Sequence, residues 1–240
     1  HYSTIKTKGC TKMNIFIDIE TIPQQPEEAT KAAIAESIQA PAQMSKPETI
    51  AAWHAGEGAY AGVKAALIED TYRKTSFDGA KGEIISISFC NDECDPITTF
   101  RHADFVGGEW SMLNLAFAKL QTLLAGKSPW FIGHNIGGFD LKFLFQRAVI
   151  NSVNPNIDFK QYGRHGAQFY DTMQAWAGYG NRISQDNLCA ALGIEGKPDD
   201  IDGSKVWDFY KAGKIEQIAQ YNANDVLTVR KIYNRLHFQD

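Results

Sequence analysis

Asn14-Ile15-Phe16-Ile17-Asp18-Ile19-Glu20 alternates in character and is rich in Ile and Phe, the pattern of a β-strand. Residues i and i+2 of a strand point to one face. Asp18 and Glu20 therefore project side by side from a strand that is otherwise apolar. Carboxylates that close repel unless a cation sits between them. The polar face of an edge strand gives the same pattern without any cation. Pro23 and Pro26 end the strand.

Beyond it the texture changes. Residues 27–80 are rich in Ala, Glu and Lys, with helices expected over Glu27–Ala40 and Pro47–Tyr72. The stretch has too few large apolar residues for a core of its own, so it is expected as a helical insertion after the first strand. Trp53, Tyr60 and Tyr72, among Lys46, Lys64, Arg73 and Lys74, suit a mobile arm that grips a strand. An amphipathic helix packed on the sheet accounts for them equally well. Strands resume at Glu83–Phe89 and Ile97–Arg101, spaced as a hairpin. A helix over Glu109–Leu124, a short strand over Trp130–Gly133 and a helix over Phe139–Ile150 follow. After a strand over Phe169–Met173, Ser184 caps a helix over Gln185–Leu192. Helices over Ser204–Tyr210 and Ile215–Leu236 complete the chain, the last with a kink expected near its start. This order predicts an α/β fold, a mixed sheet flanked by helices.

The 240 residues bound the architecture to one large domain or two small ones. Residues 1–12 are set aside as a remnant foreign to the fold, leaving 13–240 as a single domain. The formal net charge of −4 speaks against a basic coat for wrapping duplex DNA. No apolar run reaches about 18 residues, and no charged segment precedes a continuous apolar one, so neither a membrane span nor a signal peptide is expected. Cys10, Cys90, Cys94 and Cys189 form no CxxC pair, which suits reduced thiols in the cytoplasm.

Two further stretches carry carboxylates. In Gly133-His134-Asn135-Ile136-Gly137-Gly138-Phe139-Asp140, a buried strand runs through a glycine turn to an Asp at a helix start. A plain N-terminal Asp, favoured by the helix dipole, has the same appearance, and His134 reads as a structural hydrogen-bonder. In Tyr221-Asn222-Ala223-Asn224-Asp225, the i, i+4 spacing puts Tyr221 and Asp225 on one helical face. The stripe of Val226, Val229, Ile232, Tyr233 and Leu236 adjoins that face, so Asp225 is expected buried or at a cleft. Four carboxylates from a strand, a helix start and a late helix suit a site for hard divalent cations. Arg147, Lys160, Arg164 and His165 form a basic group expected to be a solvated face.

FIDIET (16–21), GHNIGGFD (133–140) and YNAND (221–225) together resemble the three motifs of the DEDD 3′–5′ exonucleases. Gln220 stands where the His subclass would carry its histidine, and Tyr221 matches the Tyr subclass. The chain is most similar to the stand-alone group, found in phages and bacteria, related to the proofreading exonuclease domain of family B DNA polymerases. Asp171-Thr172, DNLCAALGI (186–194), the Gly-Lys-Pro turn and DG-x-x-V (202–206) extend the resemblance over residues 13–236. It implies a ribonuclease H-like fold with a five-stranded mixed sheet. It also implies metal-dependent removal of nucleoside 5′-monophosphates from DNA 3′ ends, preferably single-stranded.

Within that resemblance Asp18, Glu20, Asp140 and Asp225 would hold two divalent cations, Mg²⁺ or Mn²⁺. Tyr221 would orient the attacking water, with Glu20 assisting. Thr21 and Ile22 would lie beside the terminal nucleotide and Asn135 would bond its sugar or phosphate. Phe139 reads as core packing, and Asp171 stays outside the ligand set because the family motifs omit it. The implied partners are single-stranded DNA or DNA 3′ ends, and a DNA polymerase or other replication or repair protein in trans. The implied setting is the cytoplasm of a bacterial or phage-infected cell. An RNA 3′-end trimming exonuclease of the same superfamily and a catalytically silent nucleic-acid-binding or polymerase-accessory module are the alternatives.

Overall fold

The computed structural model describes residues 11–101, 107–157, 159, 169–195 and 201–239. Five strands form one mixed sheet: β1 (Lys12–Ile22), β2 (Glu83–Cys90), β3 (Ile97–Phe100), β4 (Ser128–Gly133) and β5 (Phe169–Asp171), in the order β3-β2-β1-β4-β5. The β1 strand is central, antiparallel to β2 and parallel to β4, while β4 and β5 run parallel and β2 and β3 form the antiparallel hairpin. Nine helices accompany the sheet among the described residues: α1 (Glu27–Ser37), α2 (Pro47–Ala55), α3 (Ala61–Lys74), α4 (Gly108–Leu124), α5 (Asp140–Ile150), α6 (Thr172–Ala177), α7 (Gln185–Leu192), α8 (Val206–Lys211) and α9 (Ile215–Leu236).

The period of two in β1 sorts its side chains into two layers. Ile15, Ile17 and Ile19 join the core formed with Met112, Leu113 and Leu120 of α4 and Leu141 and Leu144 of α5. Phe16 faces the opposite way, onto Val226 and Val229 of α9. Asp18 and Glu20 continue that second row. The α9 helix is one continuous element of 22 residues. Its buried residues Ile218, Tyr221, Asn222, Asp225, Val226, Val229 and Ile232 recur at helical spacing.

Several boundaries moved for identifiable reasons. The first strand begins at Lys12, paired with Ser128, and the Thr11 carbonyl accepts from the Ser128 N–H. The segment set aside as foreign therefore enters the sheet at its last two residues, and residues 1–10 lie outside the described ones. Pro47–Tyr72 is two helices, because Gly56 takes a left-handed φ of 65° and ends α2. The strand expected over Phe169–Met173 stops at Asp171, whose carboxylate accepts from the Met173 and Gln174 N–H groups and starts α6, a helix not foreseen.

The insertion is docked on the sheet. Tyr72 is fully buried with Ile22, Ile85, Val206 and Trp207. Arg73 forms a fork to Asp208 at 3.0 and 2.7 Å and also bonds Glu69 at 2.6 Å. Trp53 is buried against Tyr60, and the buried Lys64 donates to the His54 carbonyl. Of the residues expected to grip a strand, Trp53, Tyr72, Lys64 and Arg73 are engaged within the protein as in the amphipathic alternative, while Lys46 and Lys74 stay exposed.

Arg147 also departs from expectation. It is buried, and its guanidinium holds Glu109 of α4 through Nε at 2.9 and 3.1 Å and Nη2 at 2.5 Å. Glu109 accepts in addition from the Ile84 N–H and the Asn151 amide. Lys160, Arg164 and His165, grouped with Arg147 in the sequence, lie outside the described residues. This pair ties α4, α5 and β2 together. Removing one partner of a buried pair leaves an uncompensated charge and costs about 3–5 kcal/mol. Arg147→Ala is expected to lower the melting temperature by about 10 °C in a thermal melt. A loss within about 2 °C would show that Glu109 is held without it.

Candidate functional site

The second row of β1 meets the middle of α9. One carboxylate oxygen from each of Asp18, Glu20 and Asp225 lies within 4.8 Å of the other two. Glu20 and Asp225 are buried and Asp18 is half-buried. Across β2 the residues paired with Asp18 and Glu20 are Ser88 and Ser86, both fully buried. These small side chains leave room for α9 over the carboxylates. The register shifts between Glu20 and Thr21, an irregularity at the end of the acidic row.

Tyr221 lies one helical turn before Asp225. Burial, then the negative charges of Asp225, Glu20 and Asp18, push its phenol far above the ordinary tyrosine value, and a hydrogen bond to Asp225 acts in the same direction. The hydroxyl therefore stays protonated at neutral pH and serves as a donor. Asn222 is fully buried beneath this group. Its Nδ2 donates to Asp18 Oδ2 at 2.6 Å, while its Oδ1 accepts from the Ser86 hydroxyl at 2.8 Å. The amide thus fixes the Asp18 carboxylate and anchors α9 to β2 at once. Gln185 of α7 donates to both the carboxylate and the main-chain carbonyl of Asp225 at 3.3 Å.

The glycine turn after β4 delivers Asp140. A Cβ on Gly137 would lie 2.5 Å from the Phe169 ring, and one on Gly138 would lie 2.6 Å from Asn135 Oδ1. The turn can close so tightly because both are glycine. Asn135 takes a left-handed φ of 61°. Its N–H donates to Asp171 Oδ1, the oxygen that also caps α6. His134 is structural, with Nε2 donating to the Ile183 carbonyl and Nδ1 3.0 Å from the Thr172 hydroxyl.

Asp140 then meets the main chain of the acidic strand. Its Oδ1 accepts from the Ile19 N–H, between Asp18 and Glu20, at 3.2 Å. Burial, with smaller contributions from the charges of Asp171 and Asp225 and against main-chain hydrogen bonds, pushes this carboxyl up to about 7. Asp140 is accordingly not one of the three whose oxygens converge within 4.8 Å.

Of the residues expected at the site, Asp18, Glu20, Asp225 and Tyr221 are brought together, and Asp140 is held beside them on the Ile19 N–H. Thr21 spends its hydroxyl on the Ser76 carbonyl at 2.8 Å. Ile22, expected beside a substrate, is fully buried: it continues the row of Phe16, Asp18 and Glu20 and packs with Tyr72 and with Ile215 and Ile218 of α9. Asn135 is half-buried and still borders the turn. Asn222, Ser86 and Gln185 were not foreseen. An uncharged side chain beside a motif carries no signal in one sequence until the strand it faces is known. Asp171 was noticed but given no role. It caps α6 and holds Asn135, while its buried Oδ2 has no hydrogen-bond partner among the described residues.

A family model described as a predicted 3′–5′ exonuclease related to the exonuclease domain of PolB matches residues 80–240. The match begins after Asp18 and Glu20, so it is the fold that joins these two to Asp225. Among solved structures, the chain is similar to the family B DNA polymerase of the archaeon Pyrobaculum calidifontis, at 13% identity and a TM-score of 0.52. That likeness covers 93% of this chain and 24% of the polymerase, about a quarter of the larger protein. A weaker likeness, at 11% identity and a TM-score of 0.45, is to the Pan2 pseudoubiquitin hydrolase-RNA exonuclease module of Saccharomyces cerevisiae; it covers 98% of this chain and 30% of the module. No curated protein matches the sequence.

The elevated Asp140 value has a sign. A carboxyl raised in the folded state costs nothing below its unfolded value near 4. The penalty grows as the pH rises toward about 7 and is constant above it. Asparagine keeps the acceptor for Ile19 without the charge. In chelator, Asp140→Asn is expected to melt with the parent at pH 4 and about 8–16 °C above it at pH 8, for a relief of about 4 kcal/mol. A difference independent of pH would rule this out.

Proposed function

The chain belongs to the 3′–5′ exonucleases related to the exonuclease domain of PolB, and from that premise we propose that it removes nucleoside 5′-monophosphates from the 3′ end of single-stranded DNA with two divalent cations, Mg²⁺ or Mn²⁺. The observation that carries the proposal is the convergence of Asp18, Glu20 and Asp225 within 4.8 Å, beside a protonated phenol.

The donor set fits a hard cation. It is all carboxylate oxygen, and its members repel one another without a cation. Asp18, Glu20 and Asp225 would hold the first ion and Asp140 would join for the second. Divalent ions so bound supply charge neutralisation at the phosphate and raise the acidity of water. The remaining work falls to the chain. Tyr221 cannot act as a base while its proton is held by three neighbouring negative charges; with that proton directed at Asp225, its hydroxyl oxygen accepts from the attacking water and thereby orients it. Glu20, adjacent to that hydroxyl's field, positions the same water. Asn222 keeps Asp18 in its ligating rotamer. Asn135, at the strained turn, is placed for the sugar or phosphate of the terminal nucleotide. Thr21 has a structural hydroxyl here and offers the main chain instead. A DNA polymerase or another replication or repair protein working in trans is the proposed partner. No described helix is long and apolar enough to cross a membrane, and we assign the reaction to the cytoplasm.

Digestion of 5′-labelled DNA and RNA oligomers with Mg²⁺, Mn²⁺ or EDTA tests the reading. Shortening from the 3′ end, faster on DNA and abolished by EDTA and by Asp18→Ala, is expected. Faster shortening of RNA would reassign the substrate, and activity in Asp18→Ala would sink the site. Tyr221→Phe is expected to lower kcat by about 10–1000-fold with oligonucleotide affinity unchanged. Asn222→Ala is expected to weaken Mn²⁺ binding in calorimetry by about tenfold, on the scale of a lost outer-shell partner. A purely structural Asn222 would lower the melting temperature and leave that affinity alone.

A further inference from the structure

The insertion contributes one aromatic ring that packing does not consume. Phe77 is 68% exposed at the end of the 3₁₀ turn Thr75–Phe77, where the insertion rejoins the sheet. Its immediate surroundings are the two elements that carry the acidic residues. The carbonyl of its neighbour Ser76 accepts from Thr21, the residue after Glu20. Its ring meets edge to face the ring of Phe139, the residue before Asp140, with centroids 6.4 Å apart. The ring therefore stands between the end of β1 and the start of α5, at the border of the acidic site.

The main chain beneath it is fixed. Thr75 accepts from the Gln24 N–H and donates to the Tyr72 carbonyl, and the Ser76 hydroxyl donates to the Arg73 carbonyl. A Cβ on Gly82 would lie 2.8 Å from the Thr75 carbonyl and 2.9 Å from that of Ile22, so the returning chain presses on the same turn. An exposed aromatic on so constrained a turn is pre-organised for a flat partner. Three cations of the insertion and its junction are paired, Arg73 with Asp208 and Glu69, Lys74 with Asp70 and Lys81 with Asp78. What Phe77 adds at this border is apolar contact. Stacking on a ring is open to every base, since each has a π-face.

Resting on the reading of the acidic site as a 3′-end nuclease, we propose that Phe77 is the platform on which the 3′-terminal base of a single strand stacks. Phe139 supports the ring from behind. The insertion thus acts on substrate through its root, by sequence-tolerant stacking, and Phe77 sets a preference for ends whose last base is unpaired.

The test uses the full chain and two 5′-fluorescein oligonucleotides, one ending in a normal nucleotide and one in an abasic nucleotide. Binding is read by anisotropy in Ca²⁺ and turnover in Mg²⁺. Phe77→Ala is expected to raise Kd and KM for the normal end by about 5–100-fold, with kcat changed much less. Phe77→Trp should restore both. On the abasic end the parent and Phe77→Ala should match, and Trp110→Ala, an exposed aromatic on α4, should match the parent throughout. Unchanged Kd and KM in Phe77→Ala, or an equal loss on both ends, overturns the proposal. If Asp18→Ala is inactive in that assay while Phe77→Ala equals the parent, the nuclease reading stands and the platform falls. If the parent neither binds nor shortens the oligonucleotide, both fall.

Discussion

Mutual repulsion among Asp18, Glu20 and Asp225 is the constraint around which this fold is arranged. Two unit charges 4.8 Å apart repel by about 3 kcal/mol at an effective dielectric of about 20. Apolar packing on either side of the group opposes that push. Ile218 precedes the polar face of α9 and joins Ile22 and Ile85, while Val226 and Val229 follow it and close on Phe16. Tyr233 meets the Phe16 ring edge to face at 5.6 Å. The helix is clamped on the sheet above and below the carboxylates, so the repulsion cannot be relieved by moving α9 away. It is relieved by protons or by cations, which is the condition a metal-dependent site requires.

The same constraint explains the uncharged neighbours. Asn222 gives Asp18 a donor that carries no net charge, and Ser86 orients the amide. Gln185 does the same for Asp225. A lysine or arginine in those places would neutralise the carboxylates and compete with a divalent ion. Asp140 shows the other solution. Burial, with the charges of Asp171 and Asp225, pushes its carboxyl up to about 7, so it carries only part of a negative charge at neutral pH while it supports the β1 main chain at Ile19. Asp171, by holding Asn135 and α6, sets the turn that places Asp140 there.

Much of this was legible in the residues. Strand period two in NIFIDIE predicted that Asp18 and Glu20 share a face, and the stripe of α9 predicted that Asp225 is buried. The central sheet and the order of its elements followed from the same periodicities. What escaped depends on contacts between distant segments. Arg147 groups in the sequence with Lys160, Arg164 and His165 as a solvated face, yet Glu109, 38 residues earlier, makes it a core pair. The resemblance placed Ile22 beside a substrate, but Tyr72, Trp207 and the start of α9, all distant in sequence, cover it in the core. The α6 helix is six residues long and announces itself through one capping carboxylate, too short for any periodic signal.

The position of the insertion follows from pairing. The β1 and β2 strands are antiparallel neighbours, with Ile22 opposite Glu83, so a chain leaving at Pro23 must return within reach of where it left. The entropic cost of closing such a loop grows slowly with its length, and the length of the excursion is therefore weakly constrained. Its two ends are not free in the same way. Gly82 is pressed between the Ile22 and Thr75 carbonyls, and Thr21, Gln24, Thr75 and Ser76 exchange hydrogen bonds across the junction. Helices α1 to α3 can vary while the junction keeps its geometry. A residue whose position must be accurate relative to Glu20 and Asp140 belongs at that junction, and Phe77 is there.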